Sequence, residues 1–254
     1  HVELHARVLE GLEAAFVRAV LGLVGPVRAE DEAQHLWCDT DADALVAAIA
    51  AGLLIDRRGA PAVVVIQEWW GLNGQIRDVA DRLALAGYVA LVPDLYRGKL
   101  TVEAEEAHHL MSGLDFGDAA GQDIRGAVQY LKTRSTKVGV TGFCMGGALT
   151  LLALSNVPEL DAGVVWYGCP PLEYIDASKI KVPVQGHFGT QDQFFAIATI
   201  DELETKLKAA GVATDFHRYL AHHAFANETA VGPGRIPATQ YDPVWAWSHG
   251  VPYG

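Results

Sequence analysis

The chain has 254 residues, of which half are hydrophobic and a fifth are charged, which is ordinary for a soluble globular protein and long enough for one domain with a large core. Its formal net charge of −12 argues against nucleic acid and anionic membranes as partners, although a small anionic substrate stays open because one arginine can dominate a pocket. The three cysteines are widely spread and form no CxxC pair, which argues against a disulfide framework and a zinc site and favours the reducing cytoplasm. The sequence contains no apolar segment of membrane length, which argues against a membrane partner.

The first 60 residues are predicted to form a helical extension that packs on the main domain, residues 61–254. Residues 5–24 carry apolar side chains three or four positions apart, which is typical of an amphipathic helix. A second helix is predicted over residues 42–54. The polar and acidic segment between them, residues 28–42, is predicted to be a loop.

From residue 61 onward the pattern alternates between strands and helices. Strands are predicted at residues 62–67, 88–93, 137–141, 160–167, 182–188 and 214–219, and helices at residues 75–86, 103–111, 119–131, 148–154 and 196–210. This alternation predicts an α/β fold, a mostly parallel central sheet with helices on both faces and a functional site at the carboxyl ends of the strands. The tail from residue 232 is rich in glycine and proline and is expected to wrap the surface as loops.

Residues 142–147, Gly-Phe-Cys-Met-Gly-Gly, lie between a β-branched run and an apolar helical run. Strand, glycine-flanked turn and helix are the context of a nucleophile elbow, here with Cys144 in the usual serine position. Such a turn strains the backbone and needs small neighbours, and the positive end of the following helix favours a thiolate and offers N–H groups to an oxyanion. The alternative is a buried cysteine in a glycine-rich turn.

An acid and a base for this nucleophile are expected later in the chain, in the order nucleophile, acid, histidine. Asp192 comes just after the strand at residues 182–188, and His222 and His223 follow the last strand. Asp192 has an alternative role as a cap of the next helix, and the histidine pair has an alternative place in a solvated loop.

Glu68 ends the first long strand beside two tryptophans, where desolvation is expected to raise its pKa and keep it near the thiol. A loop carboxylate without a role is the alternative. The adjacent Trp69 and Trp70 suggest a pocket with aromatic walls. Arg97 follows the strand at residues 88–93 and is a candidate for contact with an anionic substrate, with a surface ion pair as an equal alternative.

Together these motifs resemble the dienelactone hydrolase family, also called carboxymethylenebutenolidases, of the α/β-hydrolase superfamily. The matching segments are QEWWG from Gln67, VPDLYRGK from Val92, GFCMGG from Gly142, YGCP from Tyr167, GTQDQF from Gly189 and HHAFAN from His222. The family usually opens with a short β-hairpin and closes with a helix. The predicted helices of residues 1–55 and the sequence of residues 245–254 depart from that pattern, which leaves the substrate range open.

The resemblance implies a catalytic triad of Cys144, His223 and Asp192. His223 is preferred over His222 because the family's histidine is followed by a small residue and a phenylalanine. The resemblance also implies that Glu68 holds the thiol and helps to deprotonate it, and that no metal or organic cofactor takes part. The backbone N–H groups of Trp69 and Met145 are then the expected oxyanion hole, and the candidate substrate-binding residues are Trp70, Arg97 and Phe143.

The function implied is hydrolysis of lactones and of small or aryl carboxylic esters through a covalent acyl-enzyme, with phosphotriesters as accidental substrates. The alternative is a non-catalytic binding or scaffold protein that keeps the fold. The expected partner is a small-molecule ester or lactone, and the chain is expected to be a monomer or a homodimer.

Overall fold

A parallel β-sheet organises the part of the chain that the computed structural model describes, residues 36–39, 60–233 and 235–247. Its strands within these ranges are β1 (Leu36–Asp39), β2 (Ala62–Ile66), β3 (Val89–Asp94), β4 (Val138–Phe143), β5 (Ala162–Trp166), β6 (Val184–Gly189) and β7 (Thr214–Tyr219). The order across the sheet is β1-β3-β2-β4-β5-β6-β7, and every pair is parallel.

Helices connect most of the strands. They are α1 (Gly74–Leu85), α2 (Ala104–Ser112), α3 (Arg125–Lys132), α4 (Met145–Asn156), α5 (Ile197–Ala209) and α6 (Pro243–Trp247). A helical turn, Phe116–Asp118, and a π-helical stretch, Ala119–Ile124, run directly into α3, and two 3₁₀ turns, Leu172–Tyr174 and Ala177–Lys179, follow β5. In the described residues no helix combines the length and the apolar character needed to cross a membrane.

The central strands are apolar because both of their faces are covered. All residues of β2 are buried, and Val63 and Val65 pack into one core while Val64 and Ile66 pack into the other. This two-residue alternation places one hydrophobic core on each side of the sheet. The strand order reverses at β2, which lies between β3 and β4, so the carboxyl ends of β2 and β4 border the crevice in which such sheets bind ligands.

The parallel sheet with flanking helices confirms the architecture predicted from the sequence, but two local predictions were wrong. Four residues of the expected loop, Leu36–Asp39, form β1 at the sheet edge, with Leu36 opposite Leu91. A four-residue strand is too short to show a periodic pattern. The predicted helices before residue 60 lie outside the described residues.

The tail also contains a helix that was predicted as loop. Asp242 caps α6, because its Oδ1 accepts the N–H groups of Val244 at 3.0 Å and Trp245 at 3.4 Å. Pro243 occupies the first helical position, where a missing N–H costs nothing. The Asp-Pro pair is therefore a helix-start signal that the glycine and proline content of the tail concealed. Trp245 and Tyr241 pack against one hydrophobic core.

Helix α4 lies in close contact with the sheet because its first turn contains two glycines, Gly146 and Gly147. A Cβ added at Gly146 lies 2.5 Å from the carbonyl oxygen of Ile66, and one added at Gly147 lies 2.6 Å from that of Trp166. Both obstacles are backbone atoms of neighbouring strands, which cannot rotate away. The glycines therefore allow the amino end of α4 to sit between β2 and β5.

Replacing Gly146 by alanine is expected to lower the free energy of unfolding by about 1–3 kcal/mol, because the new methyl group overlaps the β2 backbone. Gly126→Ala is the matched control: Gly126 lies in α3 with nothing within 4 Å of the added Cβ, and alanine there should add about 0.5–1 kcal/mol. Urea unfolding of the two variants measures both effects. Equal effects of the two substitutions contradict the packing argument.

Candidate active site

Cys144 lies in a strained turn between β4 and α4. Its φ of 54° and ψ of −116° are unusual for a residue with a side chain. Backbone hydrogen bonds hold this conformation: the Cys144 N–H donates to the Trp166 carbonyl at 3.0 Å, and the Cys144 carbonyl accepts from Gly147 and Ala148 at 2.9 and 3.1 Å. The strand–turn–helix geometry predicted around Cys144 is present. The Cys144 residue is partly exposed and lines a large cavity.

His223 and Asp192 form a buried pair at the carboxyl ends of the strands, where Cys144 also lies. His223 Nδ1 and Asp192 Oδ2 are 2.7 Å apart, and His223 is also hydrogen-bonded to Cys144. The second carboxylate oxygen of Asp192 accepts the N–H groups of Phe194 and Phe195 at 2.7 and 3.0 Å. Asp192 therefore stabilises its own turn and is hydrogen-bonded to the histidine, but it does not cap the next helix, α5, whose N-cap residue Ala196 makes no side-chain cap. His223, and not His222, contacts the aspartate.

The environment of His223 favours its protonated form. Burial opposes the charged imidazolium. Cys144 and the Asp192 carboxylate outweigh burial, because both interact with the imidazolium by charge and by hydrogen bond, and they raise the pKa of His223 to about 10. The aromatic rings of Tyr167 and Phe194 lie 5.1 and 4.8 Å from the imidazole ring, measured between centroids. These rings restrict solvent around the pair.

Glu68 lies at the carboxyl end of β2 and is 2% exposed. Its Oε1 accepts the Tyr167 hydroxyl at 3.2 Å and its Oε2 accepts Asn227 Nδ2 at 2.6 Å. Burial raises the pKa of Glu68, while the charge of His223 and the two hydrogen bonds oppose that rise. The carboxylate lines the same cavity as Cys144 and His223, as the sequence predicts.

Two backbone N–H groups at the cavity are available to a developing negative charge. Trp69 directly follows Glu68, and Met145 is the first residue of α4. Within the described ranges, neither N–H has a hydrogen-bond acceptor. The Met145 N–H also lies at the positive end of the helix dipole. These are the two donors that the family resemblance implies as the oxyanion hole.

The three predicted substrate-binding residues have different positions. Trp70 lines the cavity and meets Trp69 edge to face, with ring centroids 5.0 Å apart. Arg97 does not line it: its exposed guanidinium lies 3.3 Å from Asp123, which is the surface ion pair considered as the alternative. Phe143 does not line it either, because as the last residue of β4 its buried ring stacks on Trp166 at 5.6 Å.

The cavity has a volume of about 1150 Å³. A second cysteine, Cys169, also lines it, but its thiol donates to the Pro170 carbonyl at 3.2 Å and burial raises its pKa to about 12. Cys169 is therefore a neutral thiol at physiological pH and a poor nucleophile.

Comparison with known proteins identifies the family. The model of the dienelactone hydrolase family matches residues 49–249. The chain belongs to the dienelactone hydrolase family. It is 37% identical to "Protein usf" of Aquifex pyrophilus over 181 residues, covering 67% of this chain and 78% of that one. It is 34% identical over 179 residues to a protein of Aquifex aeolicus named "Putative carboxymethylenebutenolidase", covering 66% and 78% of the two chains.

A solved structure agrees with this assignment. A dienelactone hydrolase-like promiscuous phosphotriesterase from metagenomic libraries superposes with a TM-score of 0.67 at 25% identity, covering 76% of this chain and 83% of that one. This member of the dienelactone hydrolase family therefore has the α/β-hydrolase fold and is a hydrolase that acts on carboxylic ester or lactone bonds.

Two site residues of this dienelactone hydrolase family member were missed from the sequence, namely Tyr167 and Asn227. Both lie in segments that carry the family resemblance, YGCP and HHAFAN. Their donation to the Glu68 carboxylate depends on three separate segments meeting at the sheet edge. A pairing over 99 and 159 positions of sequence has no local signal.

Asp192→Asn is expected to lower the pKa of His223 from about 10, because a neutral amide replaces the carboxylate. Folding raises this pKa above its ordinary value of 6.5. The stabilisation from proton binding is therefore complete below pH 6.5 and is lost as the pH rises through about 10. NMR titration of the imidazole measures the pKa, and His222→Gln is the control that should leave the His223 resonance unchanged. A wild-type His223 that titrates near pH 6.5 contradicts this assignment.

Proposed function

We propose that Cys144 is the nucleophile of this ester and lactone hydrolase, with His223 as its base and Asp192 as the group that orients the histidine. The observation that carries the proposal is the continuous hydrogen-bonded series from Cys144 through His223 to Asp192, which begins on a strained turn at the cavity wall. A binding or scaffold protein requires neither the strain nor the buried charges, each of which costs free energy.

The reaction follows from these positions. His223 holds the proton of the Cys144 thiol, and the thiolate attacks the carbonyl carbon of the ester to form a carbon–sulfur bond. The carbonyl oxygen becomes an oxyanion that accepts the N–H groups of Trp69 and Met145, and one such donor is worth about 10²–10³ in rate in a comparable hydrolase. The carbon–oxygen bond to the leaving group then breaks, and His223 protonates the departing alkoxide.

The second half of the reaction restores the enzyme. A water molecule transfers a proton to His223 and attacks the thioester carbonyl, and the tetrahedral intermediate collapses to release the carboxylic acid and the Cys144 thiolate. Asp192 keeps the imidazole in one orientation throughout, because its Oδ2 lies 2.7 Å from Nδ1 and leaves the other ring nitrogen for the reacting groups.

Glu68 is proposed to promote deprotonation of the thiol through its charge. Its carboxylate interacts electrostatically with His223, and a negative charge beside the imidazolium holds the proton on the histidine. Tyr167 and Asn227 fix the carboxylate at this position. In this arrangement Glu68 acts on the nucleophile through His223, which differs from the direct contact expected from the sequence.

Phosphotriesters are a second candidate substrate class. The structural relative with a TM-score of 0.67 is described as a promiscuous phosphotriesterase. The same thiolate can attack phosphorus, form a phosphorus–sulfur bond and expel an aryloxide, while the oxyanion donors bind the phosphoryl oxygen. Water must then break the phosphorus–sulfur bond to regenerate the thiolate. The aromatic wall formed by Trp69 and Trp70 suits aryl leaving groups in both reactions.

Cys144→Ala is expected to abolish hydrolysis of p-nitrophenyl acetate, because none of the described residues on the cavity wall can replace the thiolate. Cys169→Ala is the matched control, since Cys169 lines the same cavity as a neutral thiol, and it should keep activity within about threefold of wild type. Mass spectrometry of the acid-quenched wild-type reaction should locate an acetyl group on Cys144, and a diethyl aryl phosphate should leave a diethylphosphoryl group there.

Retained turnover in Cys144→Ala, or an acetyl group located only on Cys169, refutes the proposed nucleophile. Loss of turnover in both cysteine variants points instead to a structural effect, which the free energies of unfolding of the two proteins distinguish. A wild-type protein that neither hydrolyses the ester nor acquires an acetyl group supports the binding alternative.

Glu68→Gln is expected to lower kcat/KM for p-nitrophenyl acetate by roughly 100-fold and to lower the pKa of His223. It should also raise the free energy of unfolding at pH 8, because burial raises the pKa of Glu68 and disfavours its charged form; this gain should vanish near pH 4. Glu103→Gln is the control, an exposed carboxylate at the same cavity. An unchanged His223 pKa in Glu68→Gln contradicts the electrostatic role.

A further inference from the structure

The cavity that holds Cys144 extends far beyond the space around the thiol. Met145, Ala148, Leu152 and Asn156 all line it, and their spacing of three or four residues places them along one face of α4. Helix α4 has 12 residues, so this face is about 16 Å long. The cavity therefore follows the helix from the nucleophile to the other helix end.

The walls of this cavity are mostly apolar. Met111, Phe116 and Ala120 contribute from the region of α2 and the π-helical stretch, and Pro170 and Pro171 contribute from the turn after β5. The polar catalytic groups are confined to the region of Cys144, His223 and the neighbouring strand ends. A ligand that fills the site thus needs one polar reacting group and an extended apolar part.

Exposed apolar side chains are concentrated at this cavity. Eight large hydrophobic side chains are exposed in the described residues. Five of these line the cavity, and they are Leu100, Val102, Tyr174, Phe194 and Val231. Scattered exposed hydrophobic residues need no explanation, but a concentration around a site indicates a ligand that covers them.

The charge of the lining favours a neutral ligand. Arg235 is the single arginine or lysine among the described lining residues, and its guanidinium already donates to the backbone carbonyls of Thr239 and Gly232, at 2.8 and 3.3 Å. The carboxylates of Glu68 and Glu103 also line the cavity. Among the described residues that line the cavity, no lysine or arginine other than Arg235 could receive a carboxylate carried by the substrate chain.

We propose that this site hydrolyses neutral esters that carry an extended apolar chain, and that the chain lies along α4 and under the exposed hydrophobic rim. The rim consists of the five exposed side chains that line the cavity, Leu100, Val102, Tyr174, Phe194 and Val231. This proposal rests on the proposed function, since it names the substrate class of the Cys144 site. The volume of about 1150 Å³ greatly exceeds the space needed by a small lactone. Burial of the rim and of the α4 face supplies the binding free energy that a short ester lacks.

Chain length is tested with p-nitrophenyl alkanoates, from acetate to octanoate, and with n-alkyl acetates, which place the chain on the alcohol. We expect kcat/KM to rise about two- to fourfold for each added methylene in at least one series. The mono-p-nitrophenyl ester of suberic acid matches the octanoate in length but ends in a carboxylate, and it should react at least tenfold more slowly. No rise in either series overturns the proposal, and so do equal rates for octanoate and suberate where the p-nitrophenyl alkanoate series is the one that rises.

Two valines provide a matched pair of variants. Val231 and Val244 are each 56% exposed, but only Val231 lines the cavity. Val231→Asp should lower kcat/KM about tenfold for the longest substrate that the wild type favours and leave acetate hydrolysis unchanged. Val244→Asp should change neither rate. Equal effects of the two substitutions, or an equal loss for acetate, contradict the placement of the chain.

A binding experiment separates this proposal from the proposed function. Quenching of tryptophan fluorescence in Cys144→Ala by methyl octanoate and by methyl acetate reports chain binding without turnover, since Trp69 and Trp70 lie at the cavity. If Cys144→Ala binds the octanoate tightly and the wild type hydrolyses no ester, the chain-binding site is supported and the proposed function of Cys144 is refuted. Hydrolysis of acetate by wild type, together with equal binding of the two esters, refutes the chain site alone.

Discussion

The strained turn at Cys144 is the constraint on which the rest of the site depends. A positive φ at a residue with a side chain persists only where the surroundings impose it. Here a hydrogen bond to the Trp166 carbonyl fixes one side of the turn, and the close approach of Gly146 and Gly147 to the carbonyls of β2 and β5 fixes the other. The position of the thiol is therefore determined by the three central strands and not by a flexible loop.

Three buried ionisable groups lie around this turn, and each has partners of opposite charge or hydrogen-bond partners. Asp192, His223 and Glu68 are nearly inaccessible to solvent, and each buried charge alone is costly. The carboxylate of Asp192 is compensated by two N–H groups and the imidazole, and that of Glu68 is compensated only in part by a hydroxyl, an amide and the charge of His223, since burial still raises its pKa. The charge of protonated His223 thus interacts with Asp192, Glu68 and Cys144, so a change in the protonation of His223 affects all three groups.

The sequence predicts most of the fold and the positions of the proposed catalytic groups, because these depend on local chemistry. Glycines beside Cys144 and polar residues directly after buried strands are local signals, and they located Cys144, Asp192 and Glu68 correctly at the sheet edge. Arg97 and Phe143 were misplaced as substrate contacts, because sequence position does not show which way a side chain points. The edge strand Leu36–Asp39 and the partners of Glu68 depend on contacts between distant segments, which no local pattern contains.

In the proposed function, catalysis and substrate choice reside in different parts of this molecule. The proposed catalytic groups are attached to the ends of β2, β4 and β6 and to the turn after β7, where strand packing fixes their positions. The surface that meets the remainder of the substrate comes from one face of α4 and from loops whose side chains are exposed. Substitutions on the loops can change apolar contact area without moving the thiol, since the elbow is held by backbone contacts to other strands. On the proposed mechanism, a single triad on this scaffold can therefore serve substrates of very different size, and we expect the length of the apolar surface beyond it to set which of them is bound.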